Sequence, residues 1–210
     1  MMPRPLMLKI VEVFPSVQGE GLRQGSPTIF IRLAGCNLRC SFCDTKYAWE
    51  GGRSRTEAAV ADTVARIRKT YPAEWVCLTG GEPLLQDIGP LVRRLKDDGL
   101  KIQVETNGLL HSPHPVDWVT ISPKPPAYAF RPEYRSRARE VKLVVSGHLS
   151  FADVTGIRAA FADDIPVLLQ LESNSPASLG RTLRLLKRAL KDGLPNVRLA
   201  VQLHKLLNLP

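Results

Sequence analysis

The chain has 210 residues, of which 44% are hydrophobic and 23% charged, carrying a net charge of +9. That composition excludes disorder and fits one sizeable domain. No apolar run approaches the roughly 18 residues of a membrane span, and the opening MMPRPLMLKIVEVF lacks an apolar stretch followed by a small-residue cleavage site, so we expect no signal peptide, no membrane partner and a cytoplasmic location.

In chain order, LKIVEVF (8–14) alternates and carries branched residues, as a strand does. SVQGEGLRQGSP (16–27) is a Gly-rich loop, TIFIRLA (28–34) a second strand, and a cysteine loop follows it directly. Ser54 or Thr56 caps a helix reaching to about Tyr71, with Ala59, Val60, Val64 and Ile67 on its inner face. WVCLTGG is a short strand ending in glycines. LLQDIGPLVRRLKDDG reads as a helix with Pro90 disturbing its middle. KIQVETNG, DWVTIS and EVKLVVS are strands, the last two joined by a connection rich in proline and arginine. Residues 107–139 form the longest irregular stretch, read as a loop rather than a linker because strands resume after it. FADVTGIRAAF is a short helix, PVLLQLE a strand, and SPASLGRTLRLLKRALKDG a helix opened by Ser175 or Ser178. In that helix Arg181, Arg184, Lys187, Arg188 and Lys191 recur opposite Leu183, Leu186 and Leu190. This favours a solvated amphipathic face over a nucleic-acid stripe. The tail NVRLAVQLHKLLNLP begins as a strand.

Strands that alternate with helices indicate parallel βαβ units. A full eightfold barrel takes about 250 residues. The expectation is therefore α/β, a single domain over 1–210 forming an incomplete TIM-type barrel of about six core parallel strands.

Three of the four cysteines, Cys36, Cys40 and Cys43, follow the pattern C-x3-C-x2-C. In a reducing compartment such a cluster is metal-binding or catalytic rather than cross-linked. Structural zinc and electron-transfer 4Fe–4S centres take four protein ligands. Three thiolates leave one metal position open to a small molecule, which implies chemistry. Cys77 stands apart in the apolar run WVCL and reads as a small core residue. The next strand ends Thr79-Gly80-Gly81-Glu82-Pro83, where two glycines permit close backbone approach. Both motifs fall at carboxyl ends of strands, where barrels place their active sites.

The three-cysteine loop after a first barrel strand, followed by GGEP, resembles the radical S-adenosylmethionine enzymes. Further features, SVQGEG (16–21), CDTKYAW (43–49), SPKPP (122–126) and the closing QLHKLLNLP, are similar to the 7-carboxy-7-deazaguanine synthase family, from Val13 to Pro210. That resemblance implies a radical SAM core that contracts 6-carboxy-5,6,7,8-tetrahydropterin to 7-carboxy-7-deazaguanine with loss of ammonia, on the route to 7-deazapurines such as queuosine. It implies a 4Fe–4S cluster on Cys36, Cys40 and Cys43, and magnesium on Thr45. Substrate would meet Gln18, Gly19, Glu20, Arg32, Thr79 and the terminal carboxylate of Pro210. S-adenosylmethionine would meet Gly81, Ser122, Pro123, Lys124 and the segment Gln170, Leu171, Glu172 and Ser173, with QLES only partly like the family pattern. It also implies a homodimer and an electron donor of flavodoxin or ferredoxin type, with no nucleic-acid partner. The residue types suit these roles: the Arg32 fork matches a carboxylate, the Glu20 carboxylate can accept from a pyrimidine edge, and Mg²⁺ favours oxygen ligands.

Two other readings share features of the chain. A glycyl-radical activating enzyme has the same cysteine spacing but acts on a protein backbone and does not need the QGEG loop. A zinc or RNA-binding domain would use the positive charge, with RNA affinity falling steeply in salt and no cleavage of S-adenosylmethionine.

Overall fold

The computed structural model describes residues 6–210, and the chain divides into two compact units. The first comprises 6–17, Pro27–Thr106 and His111–Trp118, and the second Gln18–Ser26, Asn107–Leu110 and Val119–Pro210.

The first unit holds strands β1 (Met7–Val17), β2 (Pro27–Leu33), β3 (Arg53–Thr56), β4 (Trp75–Gly80) and β5 (Lys101–Thr106), in the order β3-β1-β2-β4-β5. β1 runs antiparallel to β2 and β3, whereas β2, β4 and β5 are parallel. Side chains alternate faces along a strand. Ile29, Ile31 and Leu33 of β2, Val76 and Leu78 of β4, and Ile102 and Val104 of β5 share one apolar core with helices α1 (Glu57–Arg68) and α2 (Gly89–Asp97), through Val60, Val64, Leu91, Val92 and Leu95. The alternate positions Thr28, Arg32, Thr79 and Gln103 are polar and occupy the opposite face.

Thr56, not Ser54, caps α1: its hydroxyl accepts the Ala59 N–H at 3.1 Å. Ser54 belongs to β3, a short strand of charged and polar residues that carries no apolar alternation. The α2 pattern also needs correction. The helix begins at Gly89 rather than near Leu84, so Pro90 lies in its first turn. There the missing N–H has no intrahelical partner to lose. Pro83–Leu85 form a separate 3-10 turn capped by Glu82.

In the second unit β6 (Trp118–Ile121), β7 (Glu140–Val145), β8 (Val167–Leu171) and β9 (Val197–Ala200) lie in that order, all parallel. Three strands in the first unit and four in the second thus make parallel pairs among the described residues, slightly more than the sequence led us to expect. Helices α3 (Tyr134–Arg137), α4 (Phe151–Ala159), α5 (Pro176–Lys191) and α6 (Leu203–Leu207) complete this unit. The long irregular stretch carries α3, whose fully buried Tyr134 donates its hydroxyl to the Leu110 carbonyl at 2.6 Å.

Ser175 caps α5, accepting the Ser178 N–H at 3.2 Å. The buried stripe of α5 is Ser178, Thr182, Leu185 and Ala189, while Leu183 is 50% and Leu190 70% exposed. Leu183 and Leu190 are therefore turned out, while Leu186 is half-buried. The cause is local: Ser178 Oγ accepts the Glu172 N–H at 2.7 Å and donates to the Val145 carbonyl at 3.2 Å, tying the small-residue face to the sheet. The basic residues of α5 are solvated, Arg184, Lys187, Arg188 and Lys191 all being exposed. No helix among the described residues is long and apolar enough to cross a membrane.

Candidate active site

β2 ends at Leu33, and Gly35, with φ +95°, turns the chain into the cysteine loop. The Gly35 N–H donates to the Ala48 carbonyl at 2.9 Å and closes the loop at its base. Within it the Cys43 N–H donates to the Cys40 carbonyl at 3.1 Å, and the Leu38 N–H to Cys36 Sγ at 3.4 Å. Cys36, Cys40 and Cys43 are half-buried free thiols, whereas Cys77 is fully buried in β4. Burial pushes the Cys36 thiol up, and negative charge on Glu82, Cys40 and Cys43 adds to this against the Leu38 N–H. Three half-buried thiolates are mutually repulsive without a cation, and iron supplies that charge. The donor set fits a cluster with one iron left open.

TGGEP braces this loop. The Gly81 N–H donates to the Leu33 carbonyl at 3.2 Å and the Glu82 N–H to the Gly35 carbonyl at 2.8 Å. A Cβ on Gly80 would lie 2.1 Å from the Leu33 oxygen, and one on Gly81 2.0 Å from the Gly35 oxygen. The glycines thus let the end of β4 meet the backbone that launches the cysteines, so the two motifs form one backbone unit. The buried Glu82 carboxylate accepts the Leu84 N–H at 3.1 Å and the Thr106 hydroxyl at 2.8 Å. That pairing explains the acid inside GGEP, and sequence reading had not foreseen it.

Arg32 and Thr79 are register partners on β2 and β4. Arg32 Nε donates to Glu12 Oε1 at 2.6 Å, and the Tyr47 hydroxyl donates to the same oxygen at 3.0 Å. The guanidinium carbon lies 5.4 Å from the centre of the Phe14 ring and 5.7 Å from that of Tyr47. Phe14 itself stacks on Phe30 at 5.3 Å. Burial raises the Tyr47 phenol, the Arg32 charge opposes it, and the Glu12 bond adds to the rise. Only Nε of Arg32 is engaged among the described residues, so its terminal nitrogens remain available to a planar anion. Thr45 donates its hydroxyl to Asp44 Oδ1 at 3.0 Å and accepts the Ala48 N–H through its carbonyl at 2.9 Å. The first unit therefore brings Cys36, Cys40, Cys43, Thr45, Arg32, Thr79 and Gly81 to the carboxyl ends of β2 and β4.

In the second unit the loop 18–26 folds on itself and on the tail. Gln18 is buried; its N–H donates to the Ser26 carbonyl at 2.8 Å and its Oε1 accepts the Glu20 N–H at 3.1 Å. The Gly19 carbonyl accepts the Leu203 N–H at 2.8 Å and Gln24 Nε2 at 3.0 Å. A Cβ on Gly19 would lie 2.2 Å from His204 Nδ1, so glycine is required by the tail itself. Glu20 pairs with Lys142 and accepts Gln202 Nε2 at 2.7 Å. Pro210 is exposed beyond a turn closed by the Leu209 N–H on the His204 carbonyl at 2.9 Å.

Ser122, Pro123 and Lys124 follow β6; Lys124 Nζ bonds Ser122 Oγ, which donates to the Lys142 carbonyl at 2.8 Å. Gln170 is 1% exposed, its Nε2 lies 3.4 Å from the Ala200 carbonyl, and its Oε1 has no partner among the described residues. A buried carbonyl oxygen without a donor is costly unless a ligand supplies one, which fits a bound cofactor. Leu171 is buried and pairs with Val145 in the β7–β8 ladder. The Glu172 N–H is bonded to Ser178. Ser173 sits at φ +52° and accepts Lys205 Nζ at 3.4 Å.

Known proteins resemble this chain in sequence and in fold. The model of the radical SAM superfamily matches residues 30–141. A 7-carboxy-7-deazaguanine synthase from Bacteroides thetaiotaomicron is 48% identical over 119 residues, covering 57% of this chain and 62% of its own length. One from Escherichia coli K12 is 34% identical over 223 residues, covering 95% of this chain and 98% of its own. The crystal structure of QueE from Escherichia coli matches with a TM-score of 0.76 at 28% identity, covering 94% of this chain and 95% of that one. Streptococcus suis SuiB bound to S-adenosylmethionine shares the fold, with a TM-score of 0.57 at 16% identity over 79% of this chain and 48% of its own. The fold class is the α/β architecture that the strand pattern led us to expect, with the radical SAM core that the resemblance implied, and its cofactors are a 4Fe–4S cluster and S-adenosylmethionine. The chain belongs to the radical SAM superfamily and, within it, to the 7-carboxy-7-deazaguanine synthase family of enzymes.

Proposed function

We propose that this chain converts 6-carboxy-5,6,7,8-tetrahydropterin to 7-carboxy-7-deazaguanine, releasing ammonia, in 7-deazapurine biosynthesis. The observation that carries this is the unit formed by the three-cysteine loop and TGGEP, with Arg32 and Thr79 in register beside it. When bound, the cluster and S-adenosylmethionine supply one-electron chemistry that removes a hydrogen atom from the substrate carbon bearing the carboxylate. The protein's share is orientation and exclusion of water.

Cys36, Cys40 and Cys43 hold the cluster. Arg32 grips the substrate carboxylate with its terminal nitrogens while Glu12 fixes Nε, and Thr79 adds a hydroxyl alongside. Gln18, Gly19 and Glu20 take the pyrimidine edge, and the Pro210 carboxylate contributes from the tail. Gly81, Ser122, Pro123, Lys124 and the segment Gln170–Ser173 meet S-adenosylmethionine, Gln170 through its unmatched Oε1. Thr45, whose hydroxyl bonds Asp44 here, would supply that hydroxyl oxygen to Mg²⁺. A cytoplasmic homodimer, fed by a flavodoxin- or ferredoxin-type donor, completes the proposal. Sedimentation at micromolar concentration tests the dimer. Residues 1–210 act as a single domain, which one cooperative thermal transition supports and two separated transitions contradict.

Anaerobic reconstitution followed by dithionite, S-adenosylmethionine and 6-carboxytetrahydropterin tests the reaction, with deazaguanine detected by mass. An intact cluster without product rejects the substrate assignment and leaves the superfamily standing. Cys40→Ala abolishes the brown colour while Cys77→Ala keeps it; retained colour in the first variant refutes the ligand set. Neither the glycyl-radical activating reading nor the zinc or RNA-binding reading finds support among the relatives described above.

A further inference from the structure

We infer that Lys142 and Gln202 are positioning residues that hold the Glu20 carboxylate ready for the substrate's donor edge, an inference that rests on the assignment of Glu20 to the pterin. Glu140 and Lys142 lie two residues apart on β7 and so project to the same face. Both are buried, with Glu140 at 0% and Lys142 at 7% exposure. Each holds a different part of the 18–26 loop. Glu140 takes the backbone: it accepts the Leu22 N–H at 2.6 Å and the Thr120 hydroxyl at 2.7 Å. A Cβ on Gly21 would lie 2.4 Å from Glu140 Oε1, so the loop packs directly on this carboxylate.

Lys142 takes the side chain: its ammonium bonds Glu20 Oε2, while Gln202 Nε2 donates to Glu20 Oε1. Gln202 is itself clamped, its N–H donating to Asn174 Oδ1 at 2.9 Å and its carbonyl accepting Asn174 Nδ2 at 2.8 Å. Lys142 and Gln202 thus hold both Glu20 oxygens in place. A carboxylate fixed in this way keeps its edge in one orientation, and the paired N–H groups of an aminopyrimidinone are the donors that such an edge accepts. Removing one member of such a buried pair exposes the other to its full desolvation penalty.

A purely structural pair would affect folding and leave substrate affinity untouched. The test is a double-mutant cycle on the dissociation constant of 6-carboxytetrahydropterin for the reconstituted holoenzyme, with S-adenosylmethionine affinity measured in parallel. Glu20→Gln and Lys142→Met each weaken the pterin about tenfold or more. The double variant is no weaker than Glu20→Gln alone, Lys142→Arg recovers part of the loss, and S-adenosylmethionine binding is unchanged. Normal pterin affinity in Lys142→Met, or additive losses in the double variant, overturns the inference and leaves the Glu20 assignment intact. Normal affinity in Glu20→Gln removes the assignment itself. If Lys142→Met does not fold, Gln202→Leu in the same cycle with Glu20→Gln decides by the same criteria.

Discussion

Arg32 and Thr79 sit opposite one another in the parallel β2–β4 ladder, one residue before the pair Leu33 and Gly80. Beyond that pair β2 leads into the cysteine loop and β4 into Gly81-Glu82-Pro83, so register fixes two substrate-contact candidates beside the cluster motif. Arg32→Lys keeps the charge and loses the fork. We expect KM for the pterin to rise about tenfold, matching the ~1.5–3 kcal/mol of hydrogen bonds to charged groups, with a smaller effect on kcat. Glu12→Gln, which weakens the hold on Nε, gives a lesser rise of the same kind. Steady-state kinetics check both, and an unchanged KM in Arg32→Lys contradicts the role.

Gly81→Ala forces a Cβ against the Gly35 carbonyl oxygen, a backbone atom that cannot swing aside. The cost is about 1–3 kcal/mol, read as a fall in Tm of roughly 2–4 °C per kcal/mol for a chain of this size, with poorer iron uptake. Gly156→Ala is the control. No heavy atom lies within 4 Å of its added Cβ, inside helix α4, and alanine there is neutral or stabilising.

Thr45→Ala removes the hydroxyl that now bonds Asp44. If that hydroxyl ligates Mg²⁺, the concentration giving half-maximal stimulation rises at least about tenfold. A full magnesium response at the original concentration shows that the hydroxyl serves only the local turn.

The orientation of α5 is testable through stability. Leu190→Lys places a charge on a side chain already 70% exposed and shifts stability by no more than about 0.5 kcal/mol. Ala189→Leu overpacks a fully buried position and costs about 1–3 kcal/mol. Denaturant titration separates the two, and the reverse order contradicts the orientation described.

The sequence was most legible where one segment contains the whole signal. Cys36, Cys40 and Cys43 announce themselves by spacing because a single loop carries them. The buried strands show as apolar runs, and Thr56 and Ser175 show as caps. β3 was hidden because an edge strand of Arg, Ser, Arg and Thr has no inner apolar face to display. The inner face of α5 departs from the leucine pattern because leucine outranks serine, threonine and alanine in any hydrophobic pattern, whereas the Ser178 hydrogen bonds turn Ser178, Thr182 and Ala189 inward beside Leu185. The partners Glu12 of Arg32 and Lys142 of Glu20 could not be found by spacing, since 20 and 122 residues separate the members of each pair. The Gly19 contact with His204 is hidden for the same reason: the constraint arises only when the tail folds back on the loop.

Removal of hydrogen from the pterin carbon bearing the carboxylate, as proposed, can be followed with 6-carboxytetrahydropterin deuterated at that carbon, reduced holoenzyme and S-adenosylmethionine. We expect deuterium in the 5′-deoxyadenosine or S-adenosylmethionine pool together with 7-carboxy-7-deazaguanine. Formation of the deazaguanine with no deuterium in that pool would contradict it.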